Sequence, residues 1–415
     1  MRGAALLFLA ATLPPAAQGQ SIAIIGGTLY PVSGPKIENG TILLRDGKIA
    51  AVGADIAIPD GATRVDAAGQ WVTPGLIHLR TTLGLKLLES GGQVETEEDL
   101  REGEIKASFS VAQGLDPASM TIPVARLEGI TSAAAVPSVG LIPGQAALID
   151  LAGTSVDEML IKAPAAMLAD LSQGGKAAGG GSRAGAVLRL ERVLRDAREY
   201  AERKDDFRRN RIQPLAATAE DLEALQPVLR AELPLFVIAN RRSDIESALR
   251  IAREFKLRIG IYGGVEAWQV AAPLAAAKVP VILEPLTDLP TFDALGARLD
   301  NATLLREAGV SVVAAQSDAA HFRDLRQAAG NEVRNGMSWD DALRTVTLAP
   351  AEAALVSDRY GSLEIGKVAN VVVWSGDPLE LSSRVERLFI RGQQVPLVSR
   401  QTELLRRYRR LPPAY

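Results

Sequence analysis

The sequence predicts an α/β protein, with a largely parallel sheet covered by helices on both faces and a β-rich segment ahead of it. Two observations carry this. Short apolar runs of strand length, at residues 235–239, 258–262, 280–283 and 310–314, alternate with amphipathic helical patterns such as residues 244–255. Strands buried between two helical layers read in this way. Upstream, residues 21–72 read as short strands and tight turns. Asp46-Gly47 stands between the apolar runs 41–45 and 48–52, and both turn residues tolerate positive φ, so a hairpin is predicted there.

Composition narrows the class. With 415 residues, 47% apolar and 23% charged, the chain is long enough for a large core and too apolar for wholesale disorder. A net charge of −3 provides no overall electrostatic basis for binding nucleic acid or an anionic membrane. Cysteine is absent, which excludes a disulfide framework, a thiolate nucleophile and a cysteine zinc site. Only two histidines occur, His78 and His321. A hydrolytic zinc takes two or three imidazoles, or carboxylates in their place.

Taken in order, the chain begins with Arg2, an apolar run at 4–13 and the small residues of 14–19. That order is the order of a secretory signal, so residues 1–19 are expected to be removed and the protein to be secreted or periplasmic. The run is too short to cross a bilayer, and no later stretch offers about 18 uninterrupted apolar residues, so no membrane span is expected. Residues 129–137 read as a strand and 140–153 as a β excursion. The stretch 172–185, rich in Gly, Ala and Ser, reads as a mobile loop; it lacks the spacing of a phosphate-binding loop. A helix follows, with Val187, Leu190, Val193, Leu194, Ala197 and Ala201 at helical spacing and interleaved Arg and Glu opposite them, the mark of a solvated, ion-paired face. Ser338-Trp-Asp-Asp341 reads as a capped helix start.

Two stretches carry a family resemblance. Trp71-Val-Thr-Pro-Gly-Leu-Ile-His-Leu-Arg-Thr-Thr82 resembles the first barrel strand of the amidohydrolase superfamily, V-x-P-G-L-I-D-x-H-x-H, with Pro74, Gly75, Leu76 and Ile77 in register. Tyr360-Gly-Ser-Leu-Glu-Ile-Gly-Lys-Val-Ala-Asn-Val-Val-Val-Trp374 resembles the family's G-S-I-x-x-G-K-x-A-D-L-V-V, with Asn370 at its usual Asp. The imidazolonepropionase-like branch is the most similar. The resemblance implies a (β/α)8 TIM-type barrel over residues 75–355. It also implies a small β-sandwich built from both chain ends, residues 21–74 and 356–400.

The family's H-x-H pair, two further histidines and a last-strand Asp bind a metal that polarises the scissile carbonyl. Carried over by position, the pair falls on Arg80 and Thr82, and His78 stands at the preceding Asp. The further histidines fall on Ile238, with Asn240 beside it as a second pocket residue, and on Gly263; the last Asp is Asp318. Ile238 and Gly263 offer no ligand atom, and a guanidinium repels a divalent ion. The expectation is therefore no metal and no cofactor. Arg80 either pairs with Asp318 as a structural salt bridge or binds an anionic ligand such as a carboxylate. Asp318 and His78 are the candidates for handling protons, His78 because an unperturbed imidazole titrates near neutrality.

These readings lead to a secreted amidohydrolase-like pseudoenzyme. Its partners would be a small-molecule ligand, a second copy of itself or an active amidohydrolase. Two alternatives stand beside it: a hydrolase acting on non-peptide C–N bonds through a rebuilt site, and a small-molecule binding protein.

Overall fold

The computed structural model describes residues 21–87, 95–100, 103–209, 211, 213–286, 289–292, 294–316 and 322–409; residues 1–19, the expected signal, lie outside them. The first chain end supplies β1 (Ile22–Leu29), β2 (Ile37–Arg45), β3 (Lys48–Gly53), β4 (Thr63–Asp66) and β5 (Trp71–Pro74). Asp46 and Gly47 both have positive φ, 51° and 76°, which closes the β2–β3 hairpin as the sequence predicts. The chain then enters the barrel at β6 (Leu76–Thr81) and makes a two-stranded hairpin of β7 (Lys86–Leu87) and β8 (Glu95–Thr96). The barrel continues with β9 (Ile130–Ala135), β10 (Gly144–Asp150), β11 (Leu160–Asp170), β12 (Leu235–Ala239), β13 (Ile259–Gly263), β14 (Val281–Leu283) and β15 (Val312–Ala314). The other chain end returns as β16 (Val371–Trp374), β17 (Val385–Ile390) and β18 (Gln393–Gln394).

Two eight-stranded sheets result. In the first, β5 pairs antiparallel with β16, Val72 opposite Val373, so the two chain ends share one sheet. The second runs β15-β14-β13-β12-β11-β10-β9-β6, a nearly closed barrel. Its two edges approach at His78, whose Nε2 faces the backbone N–H of Gln316 at 3.3 Å. Residues Ala134, Leu148, Leu168, Phe236, Tyr262, Ile282 and Val313, one from each strand β9 to β15, belong to one buried cluster. Their neighbours Ala133, Ile149, Met167, Val237, Ile261, Val281 and Val312 belong to another, under the helices. This alternation fills the barrel with side chains instead of leaving a pore.

Three expectations are corrected. The β excursion at 140–153 is barrel strand β10, and it runs antiparallel to both neighbours. Strand β11 was missing from the sequence reading, because its Ala163-Pro-Ala-Ala-Met-Leu-Ala-Asp170 run lacks the β-branched residues that mark strands. The glycine-rich stretch 172–185 is not a loop throughout: it holds the helix Gln173–Ala178 and the start of the helix Arg183–Glu202. Its glycines serve close backbone approach. A Cβ on Gly175 would lie 1.7 Å from the Asp170 carbonyl, and one on Gly185 2.2 Å from that of Gly179. The Arg183–Glu202 helix buries Leu190, Val193, Leu194 and Ala197 as its periodicity predicts, while Ala201 is exposed.

A polar knot joins barrel and sandwich. Asp150, fully buried at the end of β10, accepts hydrogen bonds from Ser132 Oγ (2.9 Å) and Asn370 Nδ2 (2.8 Å) on one oxygen. Its other oxygen accepts from Tyr360 Oη (3.1 Å) and Arg391 Nε (2.8 Å). Because β10 runs against its neighbours, its last residue emerges at the barrel face opposite their C-terminal ends, where the sandwich strands lie.

Candidate functional site

A cavity of about 760 Å³ opens at the C-terminal ends of the parallel strands, the face on which barrel enzymes build their sites. Arg80 and Thr82 reach it from β6 and the residue beyond it, Asp170 from β11, Ile238 and Asn240 from β12 and the residue beyond it, Gly263 from β13, and Glu284 from the residue after β14. The five residues that sequence reasoning assigned to the pocket, Arg80, Thr82, Ile238, Asn240 and Gly263, thus line one cavity. Val136, Val139, Leu168, Val265 and Leu289 supply apolar wall. The β6–β9 ladder loses register between His78 and Thr81. Such irregularities re-aim side chains at strand ends.

Arg80 is the charge at the floor. Its Nη1 pairs with Glu284 Oε1 in a tight salt bridge, both side chains being at least four-fifths buried. Its guanidinium also lies 5.3 Å from the centroid of the Tyr262 ring, a cation–π contact. The Tyr262 hydroxyl donates to the Leu79 carbonyl at 2.6 Å, and burial pushes its pKa well above the ordinary value. Asp170 takes the backbone N–H of Ser172 at 2.7 Å. Burial raises its pKa, and hydrogen bonds from Ser172 and Gly175 together with the nearby Arg80 charge offset part of the rise. At the opposite rim, Ser138 Oγ donates to Glu98 Oε1 at 3.3 Å.

The proton-handling candidates fare differently. Asp318 lies outside the described residues, as does His321. His78 does not line the cavity; it is fully buried. Its Nδ1 faces the Arg80 N–H at 3.2 Å and its Nε2 the Gln316 N–H. A neutral imidazole accepts on one nitrogen, and a protonated one accepts on neither. Burial, and then the Arg80 charge, hold its pKa down at about 3. His78 is therefore a neutral, inaccessible ring near pH 7, against the expectation of a general base, which needs a pKa near the working pH and reach to the substrate.

Sequence reasoning left Arg80 between Asp318 and a ligand and did not assign Glu284, Asp170 or Tyr262. Glu284 carried a signal, a carboxylate directly after the apolar run 280–283. Asp170 ends the strand that was missed.

The described donors do not assemble a site for the metal that the resemblance implies. Among the described residues, no group of three or more His, Asp, Glu or Cys side chains converges as ligands would. Glu284 is engaged by a fixed cation, and that cation stands in the mouth where it would repel a divalent ion. This set does not fit a hydrolytic metal, and no chemical step is derived through one.

Comparison with known proteins places this geometry. Residues 295–395 match the model described as "Amidohydrolase family". Amidohydrolase tasK of Hapsidospora irregularis is 23% identical over 86% of this chain, which spans only 39% of that relative's length. An imidazolonepropionase of Acidiphilium cryptum is 26% identical, covering 83% of this chain and 89% of its own. Among solved structures, an amidohydrolase from Thermotoga maritima superposes with a TM-score of 0.82 at 27% identity, covering 90% of this chain and 99% of its own. Motif register, a barrel with a sandwich from both chain ends, and these likenesses converge on an amidohydrolase-like chain, whose residues 295–395 match the family's model.

Proposed function

We propose that this protein is a pseudoenzyme of the amidohydrolase fold, whose barrel mouth binds a small molecule without a hydrolytic metal. The observation that carries the reading is the Arg80–Glu284 ion pair over Tyr262 at the cavity floor. A permanent positive charge there occupies the space in which a Lewis acid would have to act, and it leaves a cavity large enough for a small organic ligand. The N-terminal charge–apolar–small order supports export, so the ligand would be met outside the cytoplasm. Metal analysis of the purified protein after incubation with excess zinc tests the reading. Substoichiometric zinc is expected, with no chelator-sensitive turnover of lactams, cyclic ureas or N-acyl amides. One zinc per chain with turnover that a chelator abolishes would overturn it.

Asp170 favours a second reading. A carboxyl that burial pushes upward, facing the cavity, can hold a proton for a leaving nitrogen. This supports metal-independent cleavage of a non-peptide C–N bond, in keeping with the name amidohydrolase that the relative tasK carries. On this reading, Asp170→Asn is expected to lower kcat for any turned-over amide about a hundredfold or more, with a smaller change in KM. Turnover unaffected by Asp170→Asn would rule this reading out.

A further inference from the structure

The helix Arg400–Tyr408 has no task in the reading above. It starts from a complete capping box, Ser399 with Thr402, and Ser399 is buried, so its base is fixed on the body of the protein. Yet none of its nine residues is buried. Leu404, Leu405 and Tyr408 are 42%, 67% and 51% exposed. Nearby, Arg400 contacts the sulfur of Met120, which is itself exposed.

The side chains are not scattered. At 100° per residue, Leu404, Tyr408 and Leu405 fall within an arc of about 100°, with Gln401 the one polar residue among them. Arg400 and Arg407 border that arc on one side and Arg409 on the other, while Arg406 lies opposite. The four arginines against the single Glu403 make residues 400–409 a patch of net charge +3 on a chain whose total is −3. The overall charge therefore conceals a local cationic face.

We infer that this helix docks the protein on an anionic lipid surface. An apolar arc edged by arginines is the pattern of a helix lying in a membrane interface, where long basic stems let the charged heads reach the phosphates while the apolar face sinks between them. The charge selects among occupants. A second copy would bring four arginines against four, a repulsive pairing. Anionic headgroups instead meet the bordering Arg400, Arg407 and Arg409 with opposite charge. The contact is reversible, because three apolar side chains and three bordering charges fall well short of a spanning anchor.

Co-sedimentation of the full mature chain with vesicles tests this. Binding to phosphatidylcholine–phosphatidylglycerol vesicles is expected to be at least about tenfold tighter than to phosphatidylcholine alone, and to weaken as salt rises. Two double variants, L404S/L405S and R400Q/R409Q, are each expected to weaken binding about tenfold or more. Their thermal unfolding should match that of the parent chain, since every substituted side chain is exposed. Equal binding to neutral and anionic vesicles, no binding to either, or undiminished binding by both variants would overturn the inference. So would a self-association that L404S/L405S abolishes in light scattering while vesicle binding is absent, since the face would then belong to a protein interface.

Discussion

Asp150→Ala is expected to destabilise the protein by about 3–5 kcal/mol, the cost of removing one partner from a buried ionic network. The carboxylate is fully buried and serves four donors at once: Ser132, Asn370, Tyr360 and Arg391. Alanine would remove the acceptor that all four share, leaving Asn370 Nδ2 only its bond to Ser132 Oγ at 3.1 Å, and a buried donor without an acceptor loses its desolvation energy in full. Arg391 is partly exposed, so water recovers part of its share. The four donors come from β9, from the segment leading into β16 (Tyr360 and Asn370) and from the residue after β17, so the loss would loosen the barrel from the sandwich. Urea unfolding measures it, as a lower midpoint at unchanged slope. A cost below about 1 kcal/mol would place Asp150 in the range of an exposed ion pair and refute the knot. Asn370 gives this prediction a second edge. Its Nδ2 donates to Asp150, which an aspartate at that position could not do, so the amide at 370 answers the carboxylate at 150.

The second large effect lies in the acid range. His78 has a folded-state pKa of about 3 against an ordinary value of 6.5. Between those values the unfolded chain binds a proton that the folded chain refuses. Stability is thus fully present above about pH 6.5 and is lost as pH falls toward 3. The slope approaches one proton, about 1.4 kcal/mol per pH unit, or about 4 kcal/mol across the window. His78→Gln cannot titrate there. Its plot of unfolding free energy against pH is expected to be shallower by up to that one-proton slope, whatever the variant costs at neutral pH. Parallel plots for the two proteins would show that the ring is protonated in the fold, and would refute its burial between Arg80 and Gln316.

The legible part of the fold was the part written in periodicity and turns. The runs at 235–239, 280–283 and 310–314 overlap β12, β14 and β15, and Asp46-Gly47 closes the hairpin that it signals. Two signals misled. Alanine packs inside β11 without announcing a strand, and glycine at 175, 179 and 185 marks helices pressed against backbone, where composition alone suggests slack. The same division holds at the mouth. Arg80 could be placed because it sits in the strand motif. Its partner Glu284 is 204 residues away, and a pairing of that range is decided by strand order, which no local pattern encodes. Burial was equally invisible. The sequence marks His78 as a residue that titrates near neutrality, and only the folded chain shows the burial and the nearby Arg80 charge that hold its pKa down.

The pairing of β5 with β16 has a consequence for biosynthesis. Thr73 and Trp374, which share a hydrogen bond, are separated by 301 positions. A ribosome must therefore release almost the whole barrel before the first sheet can be completed, and until then β1 to β5 wait with an unfilled edge. Contacts of such long range slow folding and leave strand edges open to wrong partners. The nascent amino-terminal segment thus carries an unpaired strand edge for most of its synthesis.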